Sequence, residues 1–338
     1  SLWESTDGCQ NFSYVGPIHV GGGDDKELMA VDNNPLSPYF GRIYVGWTDF
    51  SRSSDLNVVS YSDNGGLTWS TPSVLPGTGT RGQGMWPAIA PNGDAYFALL
   101  NVATGIFGRQ DQWIYKSIDG GATWTKMTDI GTDQLAPRNI RATIRCRRQA
   151  LNGDIRNLSS PQVAIHADPT ASAGYVIHAI YPYDSDGIFG RDKSDVFYRR
   201  STDGAVTWSA EVKLNDDATR TDQWFPAIAV NEDGVVVASW YDRRRDPLNN
   251  MEFDRFAAIS LDGGLNWGTN VRMSDVSSPV AQTNPNFDEL VVDCYHGDYD
   301  QVAIDGERAH ILWSDDRRIT ETGPNPDVYY DQMLIPGP

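Results

Sequence analysis

Arginine is concentrated in three places in this chain, and in a fourth a tyrosine stands beside a histidine and an aspartate. Arg138, Arg141, Arg145, Arg147, Arg148 and Arg156 crowd one stretch, Arg243 to Arg245 lie in WYDRRRDP, and Arg317 and Arg318 lie in WSDDRR. A guanidinium presents a planar fork of N–H donors that matches carboxylate and phosphate oxygens, so this grouping suits an anionic ligand. The same arginines adjoin Asp242, Asp246, Asp315 and Asp316, so structural ion pairing is an equal reading. In HGDYDQVAID, Tyr299 adjoins His296 and Asp298. A tyrosine hydroxyl beside a base can attack an electrophilic carbon or relay protons. It can equally pack its ring in the core and hydrogen-bond a neighbour.

The rest of the composition narrows the classes. The 338 residues carry 27 Lys+Arg against 45 Asp+Glu, a net of −18, which argues against nucleic acid as a bulk partner. Only five cations are lysine, leaving 22 arginines, so the cations favour forked recognition. No apolar run reaches the roughly 18 residues of a membrane span. Three cysteines, Cys9, Cys146 and Cys294, allow one internal bridge at most. No residue set has metal-ligand spacing and no cofactor is expected, although the Asp-rich turns GGGDDKE and LNDDATRTD could hold a structural Ca²⁺.

The elements that must position these groups announce themselves by repetition. An octapeptide recurs as STDGCQNF at 5–12, SDNGGLTW at 62–69, SIDGGATW at 117–124, STDGAVTW at 201–208 and SLDGGLNW at 260–267. Its Ser and Asp can bond the turn's backbone, its Gly supplies positive φ, and its Trp packs between sheets. Asn64 replaces the acid in one copy, as a structural role permits. A short strand opened by Asp precedes each intact copy. Further upstream lie a β-rich segment (GRIYVGWTD, DAYFALLN, GYVIHAIYP, GVVVASWYD, ERAHILWSD) and an inner-strand candidate (ELMAVD, WPAIAP, PQVAIHAD, FPAIAV, DQVAID). This predicts an all-β propeller of four-stranded antiparallel blades, the octapeptide being the hairpin between third and fourth strands. Five units are counted over a single domain, 1–338. The strand SYVGPIHV is expected to complete the three C-terminal strands in a 3+1 clasp. The Ser-to-Ser spacings of 57, 55, 84 and 59 leave excess segments near 129–160 and 274–297. Cys146 and Cys294 fall one in each, on the same expected face, so a bridge between them is expected, with Cys9 free.

The octapeptides resemble the Asp-box, or BNR, repeat of the sialidase superfamily, and the resemblance spans nearly the whole chain. It implies a β-propeller, usually of six blades, and a kit of an Asp acid/base, a Tyr nucleophile assisted by Glu, and three Arg that clamp a substrate carboxylate. Carried over by position, Asp55 and Arg52 fall where the family has its Asp and a nearby Arg. Arg243 and Arg317 follow second strands, as clamp arginines do, and Tyr299 opens the last inner strand, where the nucleophile lies. Lys26 stands in the region of the first clamp arginine, and Asp222 where the family has Glu. The expectation is a secreted sialidase-like glycoside hydrolase acting on an acidic, anionic carbohydrate. The alternatives are a non-catalytic glycan-binding propeller, or a polysaccharide lyase in which Tyr299 and His296 move protons while Arg neutralises a uronate.

Overall fold

The computed structural model describes residues 1–51, 56–77, 82–102, 108–138, 140–146, 149–187, 193–279, 294, 296–297, 299–320 and 323–336, with the backbone alone for 140, 319–320 and 323–326. The described strands pair antiparallel, all with sequence neighbours except β11, which pairs with β9. A hairpin joins β1 (Leu2–Glu4) to β2 (Ser13–Gly16). The next sheet is β3 (Asp24–Val31), β4 (Ile43–Asp49), β5 (Leu56–Ser62) and β6 (Ser73–Val74). It is followed by β7 (Gly82–Ile89), β8 (Ala95–Asn101), β9 (Arg109–Ser117) and β10 (Thr125–Lys126), with β11 (Gly131–Leu135) against the first residues of β9. A short helix, α1 (Ile140–Cys146), and the hairpin of β12 (Ala150–Leu151) and β13 (Ile155–Arg156) come next. Two four-stranded sheets follow. One is β14 (Gln162–Ala167), β15 (Tyr175–Tyr183), β16 (Asp195–Ser201) and β17 (Val212–Lys213); the other is β18 (Gln223–Val230), β19 (Val236–Asp242), β20 (Asp254–Ser260) and β21 (Val271–Arg272). The last sheet is β22 (Gln301–Asp305), β23 (Arg308–Thr320) and β24 (Gly323–Leu334).

The chain forms two compact units, one of Ser1–Asn101 and Trp113–Asp129, the other of Val102–Gln112 and Ile130–Pro338. In the first, Tyr44, Val59, Met85, Phe97, Leu99, Tyr115 and Trp124 bury a common core. In the second, one core gathers Ile180, Tyr198, Val236 and Trp240, and another gathers Leu151, Ile155, Trp224, Tyr241, Phe253, Ile311 and Trp313. The second strands β4, β8, β15 and β19 are buried at nearly every position on both faces, as strands sandwiched between sheets must be. SYVGPIHV is not part of the last sheet among the described pairings: Ser13–Gly16 pairs instead with Leu2–Glu4. The octapeptide between them makes that hairpin local, with little loop entropy to overcome.

The octapeptides turn corners as their residues dictate. At 117–124 the Ser117 hydroxyl donates to Asp119 at 2.8 Å and accepts from the Gly121 N–H at 2.7 Å, while Asp119 accepts from the Thr123 N–H and hydroxyl at 2.9 and 2.6 Å. The copies at 201–208 and 260–267 repeat this set, with Asn266 in place of Thr. The Trp-x-Asp endings of second strands are structural too. The Trp240 and Trp313 indoles donate to Asp242 and Asp315 at 3.0 and 3.1 Å, and these carboxylates also cap the turns that follow by accepting the Arg244 and Arg317 backbone N–H groups at 2.8 and 2.9 Å.

Three inner strands share a feature that the sequence pattern does not announce. The register of β3, β7 and β18 shifts at the same place, and Lys26, Gly84 and Phe225 sit there with φ of +58°, +65° and +44°. These are bulges, which bend a strand and re-aim its side chains. Only Gly takes that conformation without strain.

Candidate functional site

The second unit collects most of the residues singled out in the sequence. Cys146 and Cys294 are bridged with their Cα atoms 5.9 Å apart, and Cys9 is free and exposed, as expected. The bridge ties α1 to the second excess segment, and the Arg156 N–H donates to the Cys294 carbonyl at 2.8 Å. Residues that break the repeat are thereby fastened beside the ends of β18 and β19.

At those ends lies a fully buried ion pair. Arg243 Nη1 donates to Asp222 Oδ2 at 3.1 Å, with side chains 0% and 1% exposed. Asp222 also accepts from the Lys193 backbone N–H at 3.1 Å and the Asn250 amide at 3.0 Å. Arg243 Nη2 donates to the Asn152 carbonyl at 2.8 Å, and the guanidinium lies 4.7 Å over the Trp224 ring. Burial raises the Asp222 pKa above the usual carboxylate range, against the pull of Arg243, the Lys193 N–H and Asn250. Burial also lowers the Arg243 pKa, against the attraction of Asp222. Each therefore neutralises the other.

A second network abuts the first through stacked rings. Tyr241 stacks on Trp224 with centroids 5.2 Å apart, and its hydroxyl donates to Asp300 at 2.7 Å while accepting the Ser314 N–H at 2.8 Å. Arg255, wholly buried, holds the Ser239 hydroxyl at 2.8 Å and comes within 3.7 Å of Asp300. Burial and the adjacent Asp300 drive the Tyr241 phenol pKa far up, so it serves as a neutral donor. His296 Nδ1 stands 3.2 Å from Asp316, and the ring lies against Tyr241 and Phe253 at 5.9 and 5.1 Å. Tyr299, next to Asp300, is 48% exposed, in contrast to this buried group.

Arg317 is held differently. It donates to Asp275 and, at 2.6 Å, to Asp315, and it lies 4.5 Å over the Tyr329 ring. Burial works against its charge, but the hydrogen bonds to Asp315 and Asp275 win and hold its pKa above the ordinary value. Asp315 is 1% exposed but Asp275 is 84% exposed, so one of the two partners is exchangeable.

The remaining sequence candidates lie apart from this group or outside view. Lys26 is buried in the first unit on the β3 bulge, and Arg52 and Asp55 fall outside the described residues. In the LNDDATRTD turn, Asp216 holds Arg244 at 2.6 Å and the Asn270 N–H at 3.1 Å. Among the described residues no group of three or more His, Cys, Asp or Glu side chains is arranged to hold a metal ion. Sequence reasoning missed Arg255, Tyr241 and Asp300. The available signal was Arg255 itself, a charge in the slot that Asn57, Gln112 and Val196 occupy at the same distance before the octapeptide.

No protein-family model and no curated protein sequence matches the chain. Solved structures do. A Hadza microbial sialidase is 15% identical with a TM-score of 0.50, over 93% of this chain and 56% of that one, so the chain spans little more than half of that sialidase. The GH93 α-L-arabinofuranosidase of Fusarium graminearum, in complex with arabinobiose, is 12% identical with a TM-score of 0.50, over 92% of this chain and 93% of that one. The Penicillium chrysogenum α-L-arabinanase, also with arabinobiose, is 14% identical with a TM-score of 0.51, over 89% and 92%. At such identities the likeness is one of fold. It is the all-β fold of sialidase-like and arabinanase-like β-propellers, and the resemblance to the sialidase superfamily holds at that level.

Proposed function

We infer that the chain is a glycan-acting β-propeller hydrolase, secreted, whose five sheets of three to five strands are blades and whose substrate carries an acidic sugar. The observation that carries this reading is the convergence of repeat-breaking residues. The bridge lies two residues before His296, which stands on Asp316 against Tyr241 and Phe253, and the half-exposed Tyr299 precedes Asp300 of the buried Tyr241–Asp300–Arg255 network. A rigid, hydrogen-bonded shell under an exposed nucleophile is what a covalent mechanism needs. In the proposed reaction the Tyr299 hydroxyl gives its proton to a base, the role assigned to His296, and its oxygen bonds the anomeric carbon as the bond to the leaving sugar's oxygen breaks and that oxygen takes up a proton. Water then cleaves the tyrosyl–sugar bond. The acidic group of the sugar would exchange with Asp275 on Arg317, while Arg243, already neutralised by Asp222, positions rather than clamps.

One observation favours a second reading, a non-catalytic glycan-binding propeller: Asp222, proposed as the helper of the tyrosine, is fully buried and committed to Arg243. Incubating the purified protein with a panel of sialosides, uronate-containing glycans and arabinans separates the two. New reducing ends are expected from the acidic glycans. Binding without new ends supports the lectin, and neither binding nor cleavage sinks both.

A further inference from the structure

The sheet of β14–β17 carries a chain of three polar rings that the proposed chemistry leaves unused. His166 on β14, His178 on β15 and Tyr198 on β16 stand on successive strands. His166 Nδ1 lies 3.0 Å from His178 Nε2, and His178 Nδ1 lies 2.7 Å from the Tyr198 hydroxyl. The rings stack, with centroids 5.1 and 6.0 Å apart. His178 and Tyr198 are 0% and 1% exposed, and His166, at one end of the chain, is partly exposed.

The hydroxyl sets the direction of every proton in the chain. Among the described residues it has no hydrogen-bond partner but His178. Gly264 of the 260–267 octapeptide passes so close over it that no side chain fits there. A buried hydroxyl proton needs an acceptor, so Tyr198 donates to His178 Nδ1. His178 then carries its own proton on Nε2 and donates to His166 Nδ1. His166 keeps its proton on Nε2, at the edge that faces Gly234, where a Cβ would fall 2.9 Å from that nitrogen. Both Nδ1 lone pairs are therefore spent. An added proton must either separate the two imidazoles or reverse the chain, and reversal leaves the Tyr198 proton without an acceptor.

Gly234 and Gly264 belong to the next sheet, in the β18–β19 turn and in the octapeptide after β20, so the chain is a joint between two sheets. Arg200 Nη1 crosses the same joint to the Gly263 carbonyl at 2.8 Å, and the Gly263 N–H donates to the Gly234 carbonyl at 3.2 Å. The charged groups around it are Asp168 and Arg200 on the first sheet, Asp262 in the octapeptide, and the exposed Glu232 and Asp233 in the turn. Burial holds the His178 imidazole well below the ordinary histidine value, with His166 and Arg200 adding to the effect. Burial also lowers His166, with Asp168 opposing and Arg200 adding. A histidine depressed in the folded state gives its full stability above the unfolded pKa of about 6.5 and loses it as pH falls below that value.

We propose that the Tyr198–His178–His166 chain is an acid-sensitive latch. Neutral, it holds the 260–267 and 231–235 turns against the β14–β17 sheet; one proton taken up at His166 releases them.

The test follows amide hydrogen exchange at Gly263 and Gly264, corrected for the intrinsic effect of pH, with Gly121 of the 117–124 octapeptide as reference. Between pH 7.5 and 5.0 no octapeptide carboxylate titrates, so histidine protonation is isolated. In the wild type, protection of Gly263 and Gly264 is expected to fall by about tenfold or more, the equivalent of one unit of pKa, while that of Gly121 holds. In His166→Gln, whose neutral amide oxygen still accepts from His178, the fall should shrink to less than about twofold. Equal protection of the wild-type turn at both pH values overturns the latch, as does an undiminished fall in His166→Gln. If that variant does not fold, the ring ¹⁵N signals of wild-type His178 decide: at pH 7.5 the latch requires the Nε2–H tautomer, and the Nδ1–H form refutes it.

Discussion

Arg243 and Arg317 occupy equivalent places after second strands, yet their surroundings give them opposite characters. From sequence they read alike, each an arginine flanked by aspartates, and the choice between ligand clamp and structural pair was open. The structure pairs both, but only the Asp222–Arg243 pair is sealed from water. Removing one member of a sealed pair strands the other charge in a poorly polarisable interior. Arg243→Ala is therefore expected to cost about 3–5 kcal/mol in urea unfolding. Arg317→Ala should cost about 1–2 kcal/mol at most, because Asp275 returns to water and Asp315 keeps the Trp313 indole and the residue-317 backbone N–H. Equal losses would show that burial does not distinguish the two. The pairing of Tyr241 with Asp300 was invisible in the sequence for a simple reason: the partners are 59 residues apart and no local pattern links them.

The elements were far more legible than the site. The second strands were the most legible, because a strand sandwiched between sheets writes its burial into nearly every residue. The bulges at Lys26 and Phe225 escaped, since a non-Gly residue held at positive φ leaves no compositional mark; only Gly84 hinted at them. The octapeptide allows a sharper forecast. Hydrogen bonds from Asn11 and Ser5 lower the Asp7 carboxyl to about 2, and Asp119, Asp203 and Asp262 lie below the usual range, where bonds from Thr or Asn outweigh burial. A carboxylate depressed in the folded state adds stability above its unfolded pKa of about 4 and loses it as pH falls toward the folded value. Asn64 instead donates its amide to Thr68 at 2.8 Å. Asn64→Asp should reverse that bond into the charge-assisted form of the sister turns and add about 0.5–1 kcal/mol at pH 7. The gain should fade as pH falls below about 4, the unfolded carboxylate value. A gain independent of pH would contradict the carboxylate account.

At the scale of the whole molecule, repetition supplies the scaffold and its interruptions supply the residues of the proposed site. Four octapeptide-bearing sheets are built alike, so a residue present in every one, such as the strand-opening Asp, carries little information about chemistry. Tyr299, His296 and Arg255 each depart from the repeat, and all belong to the second unit. The bridge between Cys146 and Cys294, 148 residues apart in the chain, makes that gathering permanent. The fold was readable because it is periodic; the site was read only in fragments because it is not. The central claim is that this aperiodic group cleaves a glycosidic bond through Tyr299. The most direct measurement compares wild type with Tyr299→Phe on the glycan from which the wild type releases new reducing ends, with binding of the same glycan followed in parallel. The variant should bind nearly as well, having lost one hydroxyl, and turn over slower by orders of magnitude, having lost the attacking atom. Full turnover by Tyr299→Phe, or no cleavage of any glycan by the wild type, would contradict the account.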